Sequence, residues 1–329
     1  MDKKILAVNF GGLGDEILFL PALISLKKEF PNSKITLALE SRSKSIAQLT
    51  DIIDDLIFVD IKTGNKYKEL LKLIWKGLTG GYDIMVSSGA SPFISIIEAL
   101  TFIKQRYGYD TGLLSKLLLT KAVPLNKNQY ASAMYHDLVT PITDYVTELP
   151  QISVEPENKI PNSILIHPGV SLMSKQKGCI KSITSKEWAD LIDRLIGYGK
   201  YVILAGGPDD EECIKEIEQY SKTKGYENYY GKTKNLTDLA KLISSAEKFV
   251  CSDSAPLHIA VAMGVKTYVF FGPTDDKKLI PQTPNIKPLK AKDGCPLKPC
   301  LWEHRQQSCR ELSCLNYNFS DIARIICED

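Results

Sequence analysis

The segment CSDSAPLHIAVAMG, residues 251–264, combines residue types that suit an anion-binding helix terminus. A strand is predicted to end at Asp253, Ser254 is a preferred N-cap residue, and Pro256 fits a first helical turn. Free backbone N–H groups and the positive end of the helix dipole would face a diphosphate, with His258 within reach. A capped structural helix with a hydrogen-bonded His258 explains this segment equally well when it is taken alone.

A second candidate is FGGLGDEI, residues 10–17, which separates the first predicted strand from the first predicted helix. Its glycines allow a sharp turn and a close approach to a ligand, and Asp15 lies at the predicted helix N-terminus. The simplest interpretation is a tight turn with Asp15 as helix N-cap. Gly12, Gly14 and the later Glu40 also match part of a dinucleotide-binding pattern, although its third glycine is missing.

Further polar turns are predicted at the same sheet edge, in the second half of the chain. HPGVS (167–171) and GPTDD (272–276) each follow an apolar run, and Lys181 precedes a predicted helix. Such a set of anion-receptive turns is hard to explain by packing alone. In GGPDDEE, Asp210 could accept hydrogen bonds from a ribose or a base, or could simply complement the dipole of the next helix.

Four of the eight cysteines lie in the segment 295–314 as two CxxxxC pairs: Cys295, Cys300, Cys309 and Cys314. Thiolates at these spacings could bind Zn²⁺ or Fe in a small structural site, with His304 between the pairs. The tight CxxC knuckles of familiar metal sites are absent, so free thiols or a disulfide are the alternative. A catalytic role is not expected.

Composition limits the classes of partner. Lys plus Arg (41) against Asp plus Glu (39) gives a net charge of +2, which argues against a nucleic-acid partner. No apolar run reaches the length of a membrane span, and the first residues do not resemble a targeting signal, so a cytoplasmic protein is expected. Residues 62–127 are basic, with 10 Lys or Arg and four acids. This region predicts either a solvated helix face or contact with an anionic acceptor or membrane surface.

The elements that must position these residues alternate between short apolar strands and helical repeats. A βαβ pattern opens the chain, an unpatterned Pro-, Asn- and Glu-rich stretch follows at 155–162, and the alternation then restarts. At 329 residues, with 44% hydrophobic residues, two α/β domains are expected. We predict domains at 1–157 and 158–329, each with a mainly parallel sheet and facing each other across a cleft.

The ordered set FGGLGDE, HPGVS, KSITSKEWADLI, VILAGGPDDEE, SDSAPLH and FFGPTD resembles glycosyltransferase family 9, the bacterial heptosyltransferase-like enzymes. The resemblance spans essentially the whole chain and is weakest at 41–151. It implies a GT-B fold with an N-terminal acceptor domain and a C-terminal nucleotide-sugar domain. It also implies inverting, metal-independent transfer of a sugar, heptose from ADP-heptose in the best-known members, to a hydroxyl of a surface glycan such as the lipopolysaccharide core.

The resemblance also assigns roles to residues. Asp15 corresponds to the catalytic acid of the family, which would act as general base, and Lys181 to its phosphate-binding lysine. The implied donor and phosphate site comprises Gly14, Gly169, Val170, Ser171, Lys181, Asp210, Asp253, Ser254, Ala255, Pro256, Leu257 and His258. The chain departs from the family pattern at 182–184 and at Ala255, so the resemblance does not define the base and the sugar of the donor.

The expected partners are a nucleotide-sugar donor and a glycan acceptor that is lipid-linked, with peripheral contact to the inner face of the inner membrane. No cofactor is expected for catalysis. Three alternatives stay open: an NAD-dependent oxidoreductase that uses Gly12, Gly14 and Glu40, a heptosyltransferase that acts on a protein acceptor, and a sugar-nucleotide-binding protein without activity.

Overall fold

The structure, a computed structural model, describes residues 2–301, 309 and 311–329. The chain divides into two compact units, Met1–Ser153 and Val154–Asp329. The predicted linker at 155–162 is too long at its C-terminal end, because residues 160–162 already belong to the first strand of the second unit. Polar residues at the start of this strand gave no strand pattern in the sequence. The strand is exposed at its start and buried from Ser163 onward.

The first unit contains one sheet and helices on it. Its strands are β1 (Lys4–Val8), β2 (Lys34–Leu39), β3 (Asp55–Phe58), β4 (Ile84–Ser87), β5 (Gln105–Tyr109) and β6 (Lys121–Val123). Its helices are α1 (Leu13–Glu29), α2 (Lys66–Gly80), α3 (Ile94–Leu100), α4 (Leu113–Leu118) and α5 (Ala131–His136).

The second unit repeats this plan. Its strands are β7 (Ile160–His167), β8 (Tyr201–Leu204), β9 (Glu227–Asn228), β10 (Ala246–Ser252), β11 (Lys266–Phe270) and β12 (Ile286–Leu289). Its helices are α6 (Leu172–Gln176), α7 (Ser185–Gly197), α8 (Glu211–Tyr220), α9 (Leu236–Ser245), α10 (Ala255–Ala262), α11 (Asp276–Leu279) and α12 (Phe319–Glu328).

Both sheets are parallel and have the same strand order. The first sheet runs β3-β2-β1-β4-β5-β6 and the second β9-β8-β7-β10-β11-β12. The order therefore reverses between β1 and β4 and between β7 and β10. Ligands of doubly wound sheets bind outside the carboxyl ends of the strands at such a reversal. The predicted α/β class, with two Rossmann-like units, is confirmed.

An aromatic cluster ties the core of the second unit to its last helix. The Phe270 ring packs edge-on against Trp188, with 5.0 Å between centroids, and against Tyr317, with 4.8 Å. Helix α12 packs on α7, so the C-terminal helix closes over this cluster. Trp188 is fully buried, and its indole N–H donates to the Ser182 hydroxyl at 3.0 Å. The loop that carries Lys181 is thereby anchored to the core.

No helix among the described residues is both long enough and apolar enough to cross a bilayer. This finding agrees with the absence of a long apolar run in the sequence.

Candidate functional site

The end of β1 carries the first group of polar residues. Gly12 is the N-cap of α1, and Asp15, at the third helical position, accepts the Gly12 N–H at 2.7 Å. Asp15 is therefore not the N-cap that the simplest sequence interpretation predicted. Its other carboxylate oxygen accepts the Tyr135 hydroxyl at 3.2 Å. A Cβ on Gly11 would lie 2.2 Å from the Asp15 Cβ, so only glycine leaves room for this conformation.

Glu16 follows Asp15 and is buried. Burial raises the pKa of Glu16 well above its usual range, and the neighbouring Asp15 charge raises it further. The folded protein therefore favours the protonated form of the Glu16 carboxyl. The turn after β1 thus holds two adjacent acids in different environments, and sequence reasoning missed the second.

Glu40 does not present its carboxylate to a ligand. It is fully buried, accepts the Arg42 Nε–H at 2.6 Å and accepts the Lys62 backbone N–H at 3.0 Å. The dinucleotide alternative needs this carboxylate for a ribose. The two carboxylate oxygens of Glu40 instead accept hydrogen bonds from Arg42 and Lys62.

A second group of polar residues lies where the order of the second sheet reverses. The Lys181 ammonium is 2.8 Å from the Asp253 carboxylate, and the side chains are only 15% and 5% exposed. The same carboxylate oxygen accepts the Thr274 hydroxyl at 2.8 Å. Burial alone would raise the pKa of Asp253, but the Lys181 charge and these two hydrogen bonds hold it below its ordinary value.

Short hydrogen bonds fix the loop that presents Lys181. The Ser182 hydroxyl donates to the Pro168 carbonyl at 2.9 Å, beyond the end of β7. The Ser252 hydroxyl, at the end of β10, reaches Ser182 at 2.8 Å. The two strands that flank the reversal are therefore bridged by the residues next to Lys181 and Asp253 in sequence. Sequence reasoning did not single out Ser182, Ser252 or Thr274, although all three are small hydroxyl residues inside the motifs KSITSKEWADLI, CSDSAPLH and GPTDD.

Helix α10 begins next to Asp253. Ser254 is its N-cap as predicted, and Pro256 lies in its first turn. The Ser254 hydroxyl does not cap the helix, because it points back to the Ser252 carbonyl at 3.4 Å. His258 is buried and contributes to the low pKa of Asp253. The structure thus brings together Lys181 and the predicted residues 253–258.

The turn after β8 carries Asp210, which is buried beside Gly169. Asp210 accepts the Gly207 N–H at 3.0 Å, and its other oxygen is 3.8 Å from the Lys175 ammonium. The predicted ligand contact of Asp210 therefore competes with a capping role. Ser171 is the N-cap of the short helix α6.

The turns GGLGD and GGPDD share one geometry. In each, the second glycine is the N-cap and the aspartate three residues later accepts its N–H. This repeated GGxxD pattern is visible in the sequence and was not recognised there. Gly14, which was predicted to contact the donor, belongs to α1 of the first unit.

The four cysteines that were predicted to hold a structural metal ion lie in a segment of which residues 302–308 and 310 are outside the described residues. Among residues 2–301, 309 and 311–329, no group of three or more Cys, His, Asp or Glu is arranged to hold a metal ion. Burial raises the pKa of Cys314 to about 11, and the thiols of Cys295, Cys300 and Cys309 raise it further. His304 lies outside the described residues.

Comparisons with known proteins show the family of the chain. The sequence profile of glycosyltransferase family 9 (heptosyltransferase) matches residues 72–308. Lipopolysaccharide heptosyltransferase 3 of Escherichia coli K12 is 28% identical over 289 residues, which cover 83% of each protein.

Solved structures show the same fold. A family 9 glycosyltransferase from Veillonella parvula has a TM-score of 0.77 at 22% identity, covering 99% of this chain and 98% of that one. An E. coli heptosyltransferase solved with ADP has a TM-score of 0.72 at 17% identity, covering 99% of both chains.

Two Rossmann-like units, each with a parallel six-stranded sheet, are the architecture of the GT-B fold. The chain belongs to glycosyltransferase family 9. The predicted family and enzyme class are confirmed, and the oxidoreductase alternative is wrong. The profile match begins after Asp15, so the case for Asp15 depends on the local geometry.

Replacing Gly169 by alanine tests the packing of the turn after β7. The new Cβ would lie 2.1 Å from a carboxylate oxygen of Asp210, which must move and give up the Gly207 N–H. We expect a loss of about 1–3 kcal/mol in the free energy of unfolding, measured by urea denaturation. Gly197→Ala is the matched control, because no atom lies within 4 Å of its new Cβ. Equal stabilities of the two variants would contradict this account.

Glu16→Gln tests the buried acid. Because the folded pKa of Glu16 is raised above its ordinary 4.5, its contribution to stability is present below that value and is lost as pH rises toward the folded pKa. The amide does not titrate. The free energy of unfolding of the variant, relative to wild type, should therefore be higher at about pH 8 than at about pH 5.

The control for this comparison is Glu29→Gln, an exposed glutamate on the same helix. Its difference from wild type should vary little between the two pH values. A Glu16→Gln difference that is equally flat would show that Glu16 ionises normally in the folded protein.

Proposed function

We propose that this protein is an inverting, metal-independent heptosyltransferase that moves heptose from ADP-heptose to a hydroxyl of a lipopolysaccharide core or a similar bacterial surface glycan. One observation carries the proposal: a buried lysine–aspartate pair beside the N-terminus of α10, at the strand-order reversal of the second unit. The lipopolysaccharide heptosyltransferase of E. coli, and the E. coli structure solved with ADP, support the choice of donor and acceptor.

In this proposal the second domain, residues 158–329, binds the nucleotide diphosphate. The Lys181 ammonium and the first-turn N–H groups of α10 would neutralise phosphate charge, while Asp253 and Thr274 keep Lys181 in place. The remaining proposed contacts come from strand-end turns: Gly169, Val170, Ser171, Asp210 and residues 254–258.

The first domain, residues 1–157, would bind the acceptor and supply the base. The acceptor hydroxyl attacks the anomeric carbon, its proton passes to the Asp15 carboxylate, and the bond from that carbon to the diphosphate oxygen breaks. Attack from the face opposite the leaving group inverts the anomeric centre. Each Asp15 oxygen already accepts one hydrogen bond and retains a lone pair for the incoming proton.

The raised pKa of Glu16 supports this role. A second carboxylate charge next to Asp15 would oppose binding of an anionic acceptor, and burial of Glu16 disfavours that charge. The Tyr135 hydroxyl, which is 120 residues from Asp15 in sequence, donates a hydrogen bond to the Asp15 carboxylate and so fixes its orientation.

A metal is not needed in this scheme. The negative charge that develops on the leaving diphosphate is met by Lys181 and by the terminus of α10, which are already in place. The cysteine segment takes no part in the reaction.

Asp15→Asn tests the proposed base. The amide oxygen can still accept the Gly12 N–H, so the helix start is preserved while the proton acceptor is lost. We expect the rate of transfer from ADP-heptose to a heptose-deficient lipopolysaccharide acceptor to fall by about a hundredfold or more, measured as ADP release and product mass.

Three controls sharpen this experiment. The variant should keep wild-type thermal unfolding and wild-type stabilisation by ADP. Transfer by the wild type should survive dialysis against EDTA, and NMR of the product should show the anomeric configuration opposite to that of the donor. Near-wild-type transfer by Asp15→Asn would exclude Asp15 as the base, and transfer only to a protein acceptor would replace the proposed glycan acceptor.

A further inference from the structure

The outer layer of the first unit exposes an unusual amount of apolar surface. Helix α3 packs against both α2 and α4, so the three helices form one layer on the sheet. Of the 20 large hydrophobic residues that are exposed in the described part of the chain, 10 lie between residues 67 and 117. Single exposed apolar residues are common on soluble proteins, but contiguous groups indicate an interaction surface.

Helix α2 organises the centre of this layer. Tyr67, Leu71, Trp75 and Leu78 are 79%, 66%, 65% and 47% exposed. Their spacing of four, four and three residues places them along one face of the helix. Leu73 and Gly77, on the opposite face, are buried against the unit. Helix α2 therefore has two apolar faces, and only one of them is used by the fold.

A row of lysines runs beside the exposed apolar row. Lys68, Lys72 and Lys76 recur every four residues and are exposed. Glu69 is the only acidic residue of α2, and it pairs with Lys72 at 3.4 Å. The helix thus presents adjacent apolar and cationic rows, the pattern of helices that lie in a membrane interface.

The segments next to α2 carry further exposed apolar residues and further basic residues. Leu113 and Leu117 of α4 are 74% and 71% exposed, with the basic Lys116 between them. Phe102, directly after α3, is 75% exposed with a φ of 55°, a backbone conformation that is rare for a bulky residue. Over residues 62–127, basic residues exceed acidic ones by 10 − 4 = 6.

We propose that this apolar–basic face, centred on Tyr67, Leu71, Trp75 and Leu78 of α2, docks on an anionic lipid bilayer. The aromatic and aliphatic side chains enter the interface, and Lys68, Lys72 and Lys76 contact lipid phosphates. A second copy of the chain is a poor occupant, because a two-fold contact of this face would bring the lysine rows together. Aromatic residues beside cationic ones suit the lipid headgroup region.

This inference deepens the proposed function, since a lipid-linked acceptor would be met at the same surface, but its test does not require activity. The full chain is sedimented with vesicles of phosphatidylcholine alone and with vesicles of equimolar phosphatidylcholine and phosphatidylglycerol. We expect partitioning at least about tenfold stronger with the anionic lipid, weakening as salt is raised.

Leu71→Ser/Trp75→Ser and Lys68→Gln/Lys76→Gln should each reduce this partitioning by about tenfold or more. The matched control is Tyr198→Ser/Tyr220→Ser, which removes two aromatic residues of the second unit that are each 50% exposed. Thermal unfolding of all three variants should match the wild type, because every replaced side chain is exposed.

Trp75 also provides a direct readout. Brominated lipids in the vesicles should quench part of the wild-type tryptophan fluorescence, and Trp75→Phe should bind while losing that part. The proposal is overturned if wild type and both α2 variants bind anionic vesicles equally. It is also overturned if the wild type binds no vesicles and forms a dimer that Leu71→Ser/Trp75→Ser dissociates.

Discussion

In each unit of this protein, the order of parallel strands reverses between two central strands, and the connections that leave those strands go to opposite faces of the sheet. The carboxyl ends of β1 and β4, and of β7 and β10, therefore open into a crevice that no side chain of a regular strand fills. The residues singled out for chemistry follow from this constraint. Asp15 comes after β1, residues 169–171 after β7, and residues 253–258 after β10.

The second reversal also concentrates charge. Removing an ammonium and a carboxylate from water costs several kcal/mol for each ion. The attraction between the two charges, even with good geometry, does little more than offset that cost. The Lys181–Asp253 pair is therefore weak evidence for stability and stronger evidence for a site that needs a fixed cation. Hydrogen bonds among Ser182, Ser252 and the Pro168 carbonyl hold the loop rigidly. A preorganised cation of this kind is what a departing diphosphate requires.

The sequence was informative where local chemistry determines the structure. The segment around Asp253 combines a buried strand, an N-cap and a first-turn proline, and the structure confirms α10 within one residue of its predicted start. The strands β5, β6, β9 and β12 were missed, and three of them, β6, β9 and β12, are short edge strands that are only partly buried. Such strands carry a weak alternating pattern, so their pairing depends on the neighbouring strand rather than on their own residues.

The contacts that complete the site could not be predicted in the same way. Tyr135 reaches Asp15, and Thr274 reaches Asp253, across separations of 120 and 21 residues. Only the fold determines these distances. The metal site that the spacing of the cysteines suggested stays a prediction, since the described side chains alone form no group of three or more metal ligands and His304 lies outside them.

The most direct test of the central claim is calorimetric titration of ADP into the wild type, Lys181→Met and the double variant Lys181→Met/Asp253→Asn. If the Lys181 ammonium binds the diphosphate itself, both variants should lose about tenfold or more in affinity. Lys200→Met, at the amino end of β8, serves as the control and should bind as the wild type does. Recovery of wild-type affinity in the double variant would show that Lys181 only neutralises Asp253, and would contradict the assignment of this pair to the nucleotide diphosphate.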